Sequence, residues 1–166
     1  MAIVRKDKLL AGYNGNLESV IIHNKAGEQV EVTNGVFVVL EGLMPGEREL
    51  RKAVLADEAD KGKDVLLIHN PEVMYDERKW RLADFRIEAG YPARAYRLFD
   101  GDIITLTEDL FADEVEVGDV LTVKANGLLG KPADTNGIKV EFHVIEDCGN
   151  ELDLNMKAYA VQVARN

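Results

Sequence analysis

The residues able to do chemistry in this chain are few: one serine, Ser19, one cysteine, Cys148, three histidines, His23, His69 and His143, and a scatter of carboxylates. A serine hydrolase presents its nucleophile on a sharp G-x-S-x-G turn, whereas Ser19 sits in Leu17-Glu18-Ser19-Val20-Ile21, which has no such motif. Cys148 follows Glu146 and Asp147, and neighbouring negative charge raises a thiol pKa and disfavours the thiolate that would attack. The histidines lie far apart, with no H-x-H or H-x-x-x-H pair. Glu141 and His143 would share one face of a strand, but zinc needs a third and fourth ligand, so a solvent-facing pair is the expectation. The Asp147–Asn155 loop has the composition of a calcium site without the EF-hand spacing or its closing glutamate. Glycine-rich phosphate loops are absent from the sequence. Asp102 and Asp119 invite reading as an acid–base pair, yet each directly follows a glycine, which assigns them to turns. No catalytic residue, metal ligand or cofactor site is expected.

The elements that must position these residues are announced by one phrase written twice, Gly101-Asp102-Ile103-Ile104-Thr105-Leu106 and Gly118-Asp119-Val120-Leu121-Thr122-Val123. Glycine admits positive φ, and aspartate hydrogen-bonds its own backbone two residues on, so each pair closes a turn. The β-branched run behind it is strand-like and too short for a helix. Strands are expected at Ala93–Phe99, Asp102–Thr107 and Asp119–Ala125.

Elsewhere, Leu17–His23, Gln29–Thr33 and Val36–Leu40, separated by turns at Asn24–Glu28 and Asn34-Gly35, read as a β-meander. Arg48–Leu55 alternates weakly, and the charged segment Ala56–Asp64 reads as a solvated turn or a short exposed helix. Val65–His69 is continuously apolar, as a strand covered on both faces would be, and Asn70-Pro71 ends it. Asp76–Phe85 is the one helical candidate. Ala125–Gly137 is a loop with a short pairing at Leu128-Leu129, and Ile138–Ile145 with Lys157–Val163 makes the final pair. The sum is a mainly β chain: an antiparallel β-sandwich or barrel of about nine or ten short strands with at most one short helix. Residues 1–16 read as an N-terminal arm and residues 17–166 as a single β-rich domain.

With 166 residues, the chain can bury roughly 70% of its unfolded surface without disulfide or metal. A lone cysteine suits a reducing site of synthesis. The net charge of −10 argues against nucleic acid and against an anionic membrane surface, both of which reward clustered Lys and Arg. The apolar runs are strand-sized and far below the about 18–20 residues of a membrane span, and the basic N-terminus lacks the apolar stretch of a signal peptide.

One further set of residues carries a resemblance: Tyr75-Asp76-Glu77-Arg78-Lys79, Leu82-Ala83-Asp84-Phe85, Glu88-Ala89-Gly90, Pro92-Ala93-Arg94-Ala95-Tyr96-Arg97-Leu98 and Gly101-Asp102-Ile103. From Val73 to Val163 the chain resembles a family of small head proteins of tailed bacteriophages, encoded beside the major capsid protein. The resemblance implies a virion structural role: a capsid decoration or cement protein, made in the host cytoplasm, that binds the outer capsid surface and stabilises the head. It implies the major capsid protein as partner; a basic arm on an acidic body can reach either a capsid subunit or a second copy of the chain, and a trimer would suit a capsid three-fold axis. The arm is the expected contact: Ile3, Val4, Leu9, Leu10 and Tyr13 supply apolar groups, and Arg5, Lys6 and Lys8 supply charge opposite in sign to the body. The alternative is a small-molecule- or glycan-binding β module with Trp80, Tyr91 and Tyr96 around a pocket.

Overall fold

Both Gly-Asp phrases form the same object. Gly101 and Gly118 take φ of +88° and +97°, and each aspartate reaches back three residues, not forward two. The Asp102 carboxylate accepts from Phe99 N at 2.9 Å and that of Asp119 accepts from Glu116 N at 2.7 Å. The main chain repeats as well. Gly101 N donates to Val163 O and Val163 N to Asp102 O (2.7 and 2.8 Å), while Gly118 N donates to Val144 O and Val144 N to Asp119 O (2.9 and 3.0 Å). The threonine four residues after each glycine is fully buried, its hydroxyl donating to Asp7 Oδ2 or to Val140 O.

The computed structural model describes residues 2–9, 16–73, 85–134, 136–149 and 156–166. The helix expected at Asp76–Phe85 falls outside these residues except for Phe85, as do Leu10, Tyr13 and Trp80. The strands are β1 (Val4–Lys8), β2 (Leu17–His23), β3 (Phe37–Leu43), β4 (Leu50–Leu55), β5 (Leu66–Ile68), β6 (Ala93–Arg97), β7 (Ile103–Thr107), β8 (Val120–Val123), β9 (Leu129–Gly130), β10 (Glu141–Asp147) and β11 (Ala158–Arg165). Single 3₁₀ turns occur at Glu58–Asp60, Glu108–Leu110 and Ala125–Gly127. The protein is mainly β, as expected, and combines both expected architectures: a six-stranded sheet ordered β1-β7-β11-β10-β8-β9 and a closed barrel ordered β2-β4-β3-β5-β6. No helix among the described residues is long and apolar enough to cross a membrane.

The sheet is antiparallel throughout. The barrel is not, because β2 and β4 run parallel from Ser19↔Leu50 to His23↔Val54. This corrects the expected meander. Gln29–Thr33 makes only isolated bridges, His23↔Gln29 and Val32↔Ile87, since of its residues only Val32 is buried. The place beside β2 is therefore open to β4, and β6 closes the barrel on the other side of β2 with Leu17↔Tyr96.

One core runs through both bodies. Phe37 of β3 meets Phe142 of β10 edge-on, ring centroids 5.2 Å apart. Gly127, at φ +70°, lets the Ala125–Gly127 turn lie on the β3 backbone, where a Cβ would come within 2.4 Å of Phe37 O. Its N–H donates to Ala56 O, and Ala56 N donates to Phe37 O. Asn166 ties the seam from the sheet side: its amide accepts from Val65 N at 3.0 Å and donates to Val65 O and Leu98 O, both at 3.1 Å.

The N-terminus corrects a second expectation. Val4–Lys8 is the first strand of the sheet, antiparallel to β7, and Val4 and Leu9 are buried in the chain's own core. Val4 fits because Gly35 has no side chain; a Cβ there would lie 2.7 Å from Val4 Cγ2 and 2.3 Å from Leu110 Cδ1. Ile3 N donates to Thr107 Oγ1 at 2.9 Å. Of the apolar groups expected to meet an external partner, Val4 and Leu9 thus have an internal one, Ile3 is half-buried, and Leu10 and Tyr13 lie outside the described residues.

Deleting residues 1–9 should destabilise the body by about 3 kcal/mol or more, since burying each of two aliphatic side chains contributes about 1.5–3 kcal/mol. A urea midpoint equal to that of the full chain would contradict this. Because Asp102 is 2% exposed and Asp119 is a surface residue, Asp102→Ala should cost about 2–3 kcal/mol and Asp119→Ala about 1 kcal/mol. Chemical denaturation of the two variants checks the order.

Candidate interaction surface

The residues of β1 and its two flanking positions, Ile3 and Leu9, differ in exposure. Val4 and Leu9 point into the core and offer nothing to a partner. Ile3 and Arg5 are half-buried, and Lys6 and Lys8 are exposed. Arg5 Nε pairs with Asp7 Oδ1, and the other Asp7 oxygen accepts from Thr105 Oγ1 at 2.7 Å. The register of β1 against β7 shifts between Lys6 and Lys8, so the strand carries a bulge as well as lysines. In the sheet order β1 has β7 on one side and no described strand on the other.

Lys6 does more than solvate the edge. Its ammonium donates to Tyr96 Oη at 3.1 Å and lies 4.7 Å from the centre of that ring, a cation–π contact joining the sheet to β6 of the barrel. Tyr96 is 5% exposed, so it is a covered junction residue and not the wall of an aromatic pocket; Tyr91 is exposed. The His69 ring abuts Tyr96 edge-on, centroids 6.2 Å apart. Its Nδ1 is buried with no hydrogen-bond partner. Burial first, then the nearby Lys6 ammonium, push the His69 pKa down to about 4, so the ring is neutral at pH 7. The sequence pattern did not disclose this cluster, because Lys6 on β1, His69 just after β5 and Tyr96 on β6 are brought together only by the tertiary fold.

The charged segment Ala56–Asp64 is not merely solvated. Asp57 and Asp60 make a capping box around the 3₁₀ turn, and Asp60 is 2% exposed. Lys25 pairs with Asp60 and, at 3.2 Å, with Asp57, and Lys63 pairs with Asp60 at 2.8 Å. Burial would raise the Asp60 carboxyl, but the two lysine hydrogen bonds outweigh it and hold the pKa at about 2. Clefts of about 280 and 330 Å³ flank Lys25. Each charged group lining them is paired within the chain, including Lys52 with Glu41 at 3.0 Å. That arrangement braces the barrel end.

The remaining chemical candidates are dispersed. His23 is buried, its Nδ1 3.1 Å from Ile21 O. His143 Nε2 lies 2.7 Å from Glu141 Oε1 on the outer face of β10, the pair expected from their spacing, and Arg165 takes the other Glu141 oxygen at 3.1 Å. Cys148 is buried. Among the described residues no three His, Cys, Asp or Glu side chains group to hold a metal ion. In comparisons with known proteins, no family model, curated protein or solved structure matches the chain.

His69 generates a pH prediction. Its pKa is lower folded than unfolded, so the unfolded chain takes up the proton first. The stability it preserves is complete above about pH 6.5 and is lost as pH falls toward 4, at no more than about 1.4 kcal/mol per pH unit. Asp60, also depressed, loses its contribution only below about pH 4. His69→Phe should therefore flatten the stability–pH curve between 6.5 and 4 and leave the steeper acid limb. Denaturant titrations across this range check it, and parallel curves for the two proteins would contradict it.

Proposed function

We propose that this chain is a virion structural protein, a decoration or cement subunit that binds the outer surface of a bacteriophage capsid and stabilises the head. Its partner is the major capsid protein, with further contact to copies of itself, a trimer matching a three-fold axis. The observation that carries the reading is the outer edge of β1. It combines an outer side beside which no described strand lies with exposed Lys6 and Lys8 on a chain of net charge −10. An edge strand offers unpaired N–H and C=O groups to an incoming strand, while lysines and a bulge discourage indiscriminate pairing. Such an edge favours a partner with a matching acidic rim. The resemblance between residues 73 and 163 and phage head proteins supports the same reading, and so does the exposed apolar trio Val117, Val120 and Ile145.

Mass spectrometry of purified phage particles should find the chain in many copies per head. In co-sedimentation with capsids lacking it, the wild-type chain should bind saturably, and the Lys6→Glu/Lys8→Glu variant should bind at least about tenfold more weakly, a loss of about 1.4 kcal/mol. Absence from particles, or unchanged binding by a folded double variant, would refute the assignment.

A further inference from the structure

We propose that the cleft where the Glu108–Leu110 turn and the following Phe111–Val115 segment meet the start of β11 is a binding site for one neutral sugar ring. It is lined by Glu108, Phe111, Asp113, Glu114, Val115, Lys157 and Tyr159 and encloses about 280 Å³. That is just below the range of roughly 300–1,000 Å³ typical of drug-sized ligands, enough for one ring and not for an oligosaccharide. The proposal stands apart from the capsid role, since the cleft shares no residue with β1.

A pyranose asks for three things together: an apolar face for its C–H groups, acceptors for its hydroxyl hydrogens, and donors for its oxygens. The half-buried Tyr159 ring supplies the first, held edge-on to Phe111 with centroids 5.9 Å apart and planes at 86°. Aromatic side chains combine such an apolar body with a polar tip. Carboxylates of Glu108, Asp113 and Glu114 supply acceptors, and the Lys157 ammonium and the Tyr159 hydroxyl supply donors. The walls are fixed: Glu108 N donates to Lys157 O at 3.0 Å, and Asp113 Oδ2 accepts from Lys131 N at 2.9 Å.

The clefts beside Lys25 provide the contrast. There each charge is paired with another, whereas the Glu108, Glu114 and Lys157 side chains form no ion pair with any described residue. Three carboxylates against one ammonium repel an anionic sugar. The ammonium in the same cleft weakens it as a simple cation site. A neutral polyol with one apolar face satisfies the described lining.

The test uses the full chain, ¹⁵N-labelled, with the methyl glycosides of glucose, galactose, mannose and N-acetylglucosamine, each at about 20 mM to detect a millimolar Kd. At least one should shift the amides of Glu108, Phe111, Asp113, Glu114 and Tyr159. Glu108→Gln/Glu114→Gln, which keeps the fold and shape, should weaken that glycoside at least about fivefold, and Tyr159→Phe should weaken it while keeping the ring. The proposal is overturned by the absence of shifts with all four glycosides, or by shifts confined to residues elsewhere. A stronger response to n-butylammonium or glucuronate, or unchanged affinity in the double variant, would overturn it equally.

Discussion

The approach of the Ala125–Gly127 turn to the backbone of β3 is the contact on which the architecture depends. Gly127 lies where a single added carbon would sit inside hydrogen-bonding distance of Phe37 O, and this closeness carries Phe37 into edge contact with Phe142. Sheet and barrel each expose one apolar surface, and neither alone could cover it. Their shared core removes both surfaces from water, and because packed interiors tolerate few voids, a small outward shift at the seam would be felt in both bodies. The Asn166 amide works in the same sense, giving Val65 the acceptor and donor that a further strand would have given.

Within the sheet, the paired turns impose a local two-fold likeness. β7 lies against β11 and β8 against β10, and β10 and β11 are themselves neighbours. The two Gly-Asp turns therefore flank a central hairpin-like pair, each locked to one valine by the same two main-chain bonds. The likeness ends at the margins. Beyond β7 lies β1, bulged and basic; beyond β8 lies β9, only two residues long. Among the described residues the sheet therefore ends in a five-residue basic strand on one side and a two-residue strand on the other.

Much of this was legible locally. The limits of β2, the strand after Asn34-Gly35, the apolar run of β5 and the two Gly-Asp strands follow from β-branched runs bounded by turn residues, which are short-range signals. The Glu141–His143 pair followed from period-two spacing alone. The parallel β2–β4 pairing was not legible, because Arg48–Leu55 has only weak alternation and no local feature names a distant neighbour. β1 is hard to read for a related reason: Lys6 and Lys8 give the segment a solvated look, and it is Gly35, distant in sequence, that shows where Val4 goes. Asp60 belongs in the same class. A carboxylate within a charged run looks exposed until Lys25 and Lys63 are seen to converge on it.

The barrel interrupts the sheet in sequence: β2 to β6 all fall between β1 and β7. The Asp7–Thr105 bond accordingly spans 98 residues. Both ends of the intervening unit are adjacent, since Leu17 pairs with Tyr96. Once the barrel has formed, the span between β1 and β7 shrinks to two tethers of about a dozen residues in all. That is about three halvings of the loop, or roughly 2 kcal/mol of closure entropy removed. The insertion thus acts as a scaffold for its own flanks: barrel formation brings the ends of β1 and β7 together and lowers the entropic cost of pairing them.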